Sequence, residues 1–63
     1  MNTPTLIATD ERLQLEAWAL FDDDAQLYEL FASEACDDYI GNADSLADCT
    51  AVAQAWFADR ASS

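Results

Sequence analysis

Residues 10–31 read DERLQLEAWALFDDDAQLYELF, and the way this stretch divides decides the fold. Leu6, Asp10, Leu13, Ala17 and Leu20 recur at helical spacing, and Thr3-Pro4 is a cap-then-proline start, which predicts a first helix over residues 10–20. Asp22-Asp23-Asp24 interrupts it. Three carboxylates are repelled by the negative end of a helix dipole and welcomed at the next helix N-terminus, so they mark a boundary between two helices. The second helix is expected over residues 25–39, burying Leu27, Leu30, Phe31 and Ala35 and leaving Glu29, Glu34, Asp37 and Asp38 in water. Gly41 stands where a left-handed C-terminal cap is wanted. Beyond it Asp44 or Ser45 caps a third helix, since Ser45 to Asp48 has capping-box spacing, and Leu46, Cys49, Val52, Ala53, Trp56 and Phe57 form its buried face before the chain frays from Ala61. The expected fold class is therefore all-α, a compact three-helix unit making one acidic helical domain over residues 1–63. Residues 1–8 add either a turn of helix or an extended arm, and no internal repeat or low-complexity segment is visible.

Composition narrows the rest. At 63 residues the chain is near the lower limit for independent folding, and its large apolar groups are seven leucines, two isoleucines, one valine and seven aromatics, a thin core. A single glycine and a single proline leave little turn punctuation for an all-β domain. Thirteen acids face two arginines, for a formal charge of -11. Such an excess repels itself, keeping a chain soluble and monomeric at the expense of compactness. It also excludes nucleic acids and anionic membranes as partners for these faces, because both demand basic patches. The partner should be basic. The absence of a cationic leader and of an apolar run long enough for a membrane span points to the cytoplasm.

Chemistry is conspicuously missing. There is no histidine for proton transfer and no lysine for Schiff-base work, and a chain this short has no walls for a glycosidase cleft, so no catalytic residue and no enzyme activity are expected. Counted from Asp22, a calcium loop would need glycine at Leu27 and glutamate at Ser33; counted from Asp23 it finds Glu34 at the twelfth place but Tyr28 at the sixth. Two thiols fall short of a zinc set, so no metal and no cofactor are expected, and Cys36 and Cys49 read as small buried hydrophobes rather than a disulfide. Asp44-Ser45-Leu46 resembles the Asp-Ser-Leu of acyl carrier proteins, whose serine bears a phosphopantetheine arm. That family continues for two more helices after the one this serine begins, whereas here 18 residues, a single helix, follow it, and a helix N-cap selects the same residues.

What remains is the acidic surface. Single acids on the outside of a helix ordinarily do no more than stay wet; the shortage of balancing cations is what distinguishes this chain, since an ordinary surface mixes both signs. On the expected second helix Glu29, Glu34 and Asp38 would step by ~6 to 7.5 Å, comparable with a phosphate row. Asp22, Asp23, Asp24, Asp37, Asp44 and Asp48 would extend that row, and these nine acids are the candidate partner-binding residues.

The stretch from Phe31 to Trp56, FASEACDDYIGNADSLADCTAVAQAW, resembles a segment of ArdA-type antirestriction proteins through Tyr39, Gly41, Asp44, Ser45 and Asp48, with Phe31 and Ala35 offset. It departs at Cys49, where that family has an aromatic. Size and acidity also resemble phage anti-CRISPR proteins. The resemblance implies inhibition of a bacterial defence system by DNA mimicry, with a subunit of a CRISPR effector or restriction enzyme as the basic partner. The alternatives are an acyl-carrier-like protein modified at Ser45, or an acidic partner or antitoxin of a basic protein.

Overall fold

Leu15 to Asp22, LEAWALFD, alternates with a period of two rather than 3.6: Ala17 and Ala19 are buried, Leu15 and Phe21 share their face, and Glu16, Trp18, Leu20 and Asp22 point the other way. In the computed structural model, which describes residues 3–62, this segment is a strand, and so are its neighbours. The order is β1 (Thr5–Asp10), β2 (Leu15–Asp22), β3 (Leu27–Phe31), β4 (Tyr39–Ala43) and one helix, α1 (Leu46–Ser62). The strands form an antiparallel meander, β1-β2-β3-β4, with α1 on one face.

The all-α expectation is thus overturned. Residues 10–20 and 25–39 hold strands and turns, not helices, and Thr3-Pro4 precedes a strand. As for residues 1–8, those from Thr5 onward are extended; residues 1 and 2 lie outside the described residues. The reason is cross-strand pairing. Leu13, Ala17 and Leu20 fit a helical stripe, but burying Ala17, Ala19 and Leu30 together requires the register Ala19↔Leu30 and Ala8↔Ala17. Tertiary packing outranks a local periodicity that two templates both fit.

The turns explain how a meander forms with so little glycine. Asp10 Oδ1 accepts a hydrogen bond from Leu13 N at 3.1 Å, and Gln14 follows with φ 56°. Twelve residues on, Asp22 Oδ1 accepts from Asp24 N at 3.0 Å and Ala25 N at 3.3 Å, and Gln26 follows with φ 58°. Each turn is Asp-x-x-x-Gln-Leu, residues 10–15 and 22–27, an internal repeat where none was expected. The aspartate satisfies loop amides and the glutamine occupies the left-handed region that glycine usually fills. Asp22 to Asp24 do punctuate the chain, but as a hairpin turn. Cys36, with φ 60°, plays the same left-handed role in the longer β3–β4 connection, which Ala32 N closes on Asp38 O at 2.8 Å.

α1 matches its reading most closely. Ser45 Oγ accepts from Asp48 N at 3.2 Å, the capping geometry expected, and Cys49, Ala53 and Phe57, four apart, are buried against the sheet. Val52 and Trp56 pack at its margin, whereas Leu46 is exposed and not part of the buried face. The helix continues through Ser62, whose Oγ donates to Ala58 O, so the fraying expected from Ala61 is absent within the described residues. Gly41 caps nothing: it lies in β4 without a positive φ, facing Val52. Both cysteines are free; Cys49 is fully buried as expected and Cys36 only partly.

Candidate functional site: acidic ends and an open sheet face

The meander sorts the nine candidate acids. β2 ends at Asp22 and β3 begins at Leu27, while β4 ends at Ala43 opposite Tyr28, so Asp22, Asp23, Asp24, Asp44 and Asp48 gather at one end of the sheet. Glu34, Asp37 and Asp38 belong to the β3–β4 connection at the other end, the end at which the first turn carries Asp10 and Glu11. Glu29 stands between them on β3, opposite Leu20 and Asn42. The phosphate-like row of Glu29, Glu34 and Asp38 does not form, because helical spacing produced it and those residues are in a strand and a loop.

Asp22, Asp23, Asp24 and Glu29, with Leu20 and Phe21, line an open depression of about 410 Å³ beside the second turn. The Asp22 carboxylate is engaged by two amides of its own turn. No three Cys, Asp or Glu side chains among the described residues come together as a metal-binding group. Ser45 is occupied as a helix cap, and the helix it starts follows a strand, unlike the helical surroundings of the acyl-carrier serine.

The face of the sheet opposite α1 was invisible to a helical reading. Leu6 pairs with Trp18, Trp18 with Phe31 and Phe31 with Tyr39, one unbroken row of large side chains across all four strands. Phe31 and Tyr39 meet edge to face, with ring centroids 5.8 Å apart at 71°. Leu6 and Tyr39, at the two edges, are 46% and 56% exposed, and Trp18 and Phe31 are half-buried between them. Trp18 Nε1 is enclosed and has no hydrogen-bond partner among the described residues. Glu16, in register with Thr9, and Glu29 flank the row on the same face. The sequence signal for this face was the alternation Glu16-x-Trp18-x-Leu20, legible only once the segment is a strand.

The motif that suggested a family falls on β4 and on the start of α1. Tyr39 and Gly41 lie on β4, Ser45 caps α1, and Asp48 donates its amide to that cap from the first turn. No family model, curated protein or solved structure significantly matches this chain.

Proposed function

We propose that this chain binds a basic, DNA-binding protein at the surface that protein uses for DNA, and that the partner is a subunit of a bacterial defence complex, a CRISPR effector or restriction enzyme. The observation that carries the reading is thirteen acids against two arginines in a folded body 34 Å long. Divided by that length, the net charge of -11 amounts to one per ~3 Å, about half the linear charge density of duplex DNA at one per ~1.7 Å. No helical row is needed for this comparison; most of the candidate acids lie in or beside the turns at the two ends of the sheet, with Glu29 between them on β3. The resemblance of residues 31–56 to antirestriction proteins is what points to host defence rather than to any basic protein.

Electrostatic docking predicts fast association that weakens as salt rises. The test is capture from lysate of the natural host at low and high salt, with two triple charge reversals compared. Asp23, Asp24 and Asp44 to lysine disarm one end, and Glu34, Asp37 and Asp38 to lysine the other; all six are exposed. Each triple should weaken capture about tenfold or more at low salt while the far-ultraviolet dichroism is unchanged. Capture that is indifferent to both triples and to salt removes charge from the mechanism.

A further inference from the structure

We propose that the open sheet face docks an arginine-bearing surface of the basic partner, with Leu6, Trp18, Phe31 and Tyr39 as its apolar floor and Glu16 and Glu29 as its counter-charges. The proposal rests on the reading above for the sign of the partner's charge, and adds where and through which side chain that partner is held. A row of one leucine and three aromatics crosses the whole sheet on the side away from α1, exposed at its two ends, Leu6 and Tyr39, and half-buried at Trp18 and Phe31 between them. Apolar rows that stay partly exposed and are rimmed by charge mark interaction surfaces.

The occupant follows from charge. A second copy would bring another -11 and set its own Glu16 and Glu29 against this pair in a desolvated interface. A nucleic acid could stack bases on such rings, but its phosphates would meet the same carboxylates. A guanidinium satisfies both parts of the face: it stacks flat on aromatic rings, is weakly hydrated, and donates in a fork to a carboxylate. An ammonium group satisfies only the second. The chain already makes one such contact on itself, where the Arg60 guanidinium sits 5.2 Å from the centre of the Trp56 ring.

The test uses the full chain and two defined probes, a ten-residue arginine peptide and a ten-residue lysine peptide at equal ionic strength. Trp56→Phe leaves Trp18 as the one tryptophan, so its emission reports on the face, while amide shifts locate the peptide. The arginine peptide should bind about tenfold tighter than the lysine peptide, quench Trp18 and shift Leu6, Trp18, Phe31 and Tyr39. Leu6→Ser and Tyr39→Ser, at the exposed ends of the row, should bring the two affinities within about twofold while leaving lysine-peptide binding and helicity as they were. Equal affinities in the parent chain, an arginine preference that survives both variants, or shifts confined to residues 22–24 and 34–38 would overturn this docking face and leave the acidic mechanism standing. Failure of both peptides to bind at low salt would instead sink the basic-partner reading itself. Sedimentation of the free chain as a dimer that Tyr39→Ser dissociates, or quenching of Trp18 by single-stranded DNA, would assign the face to another occupant and also overturn the proposal.

Discussion

At Gly41 the helix leaves almost no room above β4. A Cβ there would lie 3.3 Å from Val52 Cγ1, and a valine on a helix is held in one χ1 rotamer and cannot readily turn aside. Gly41→Ala should therefore destabilise the chain by about 1–2 kcal/mol through overpacking. In a Val52→Ala background the same substitution should stabilise by about 0.4–1 kcal/mol, because only the lost freedom of the unfolded chain remains. Urea titration of the four chains measures both signs, and a penalty of equal size in the two backgrounds would rule out this contact as its cause. Cys49 offers a second residue-scale check. Burial pushes its thiol above the ordinary value of 9.0, and the neighbouring Asp48 charge adds to that. A group held protonated by the fold contributes stability below its unfolded pKa and loses it as pH rises past that value. Relative to Cys49→Ala, the parent chain should lose stability from about pH 9 upward, and iodoacetamide at pH 8 should modify partly exposed Cys36 well before Cys49. Prompt labelling of both thiols in the folded protein would contradict the burial of Cys49. Gly41 and Cys49 were both legible as structural residues, yet only Cys49 was read in its correct role. What Gly41 accommodates is a neighbour from another element, which no local rule reveals.

Among the elements, α1 was readable because its signals are local: a serine cap three residues before Asp48, then apolar side chains four apart. The hairpins were not, because their turns avoid the glycine that normally announces them. Gln14 and Gln26 hold the left-handed conformation in its place. For a residue with a Cβ that conformation costs about 1–2 kcal/mol, partly recovered here by the aspartate that begins each turn. Gln14→Gly removes that strain but loosens the unfolded chain, so it should raise stability by about 0.5–1 kcal/mol. Gln14→Val, which cannot adopt a positive φ without greater strain, should lower it. Thermal unfolding of the pair decides: if glycine is no better than glutamine while valine is harmless, the turn is not left-handed at this position. The Asp-x-x-x-Gln-Leu repeat was present in the sequence all along. It carries meaning only once aspartate is seen as the turn's hydrogen-bond acceptor and glutamine as its positive-φ residue.

For the whole molecule, charge was legible and its layout was not. A net charge of -11 can be counted, but the gathering of Asp22, Asp23, Asp24, Asp44 and Asp48 at one end depends on β2, β3 and β4 turning there together. The same pairing leaves an aromatic sheet face without a helix over it, because one 17-residue helix can cover only one side. A body of 34 × 20 × 15 Å with acids at both ends resembles a short piece of charged polymer more than a helical bundle with one decorated face. None of the described helices is long and apolar enough to cross a membrane. The claim on which everything functional depends is that this body and duplex DNA compete for one site. The direct measurement is duplex binding by the captured partner while the chain is added in steps at low salt. Mutually exclusive binding raises the apparent Kd for duplex in proportion to the chain added, without limit, and that is the expected result. A Kd that levels off, with partner, duplex and chain migrating together as one complex, would contradict it.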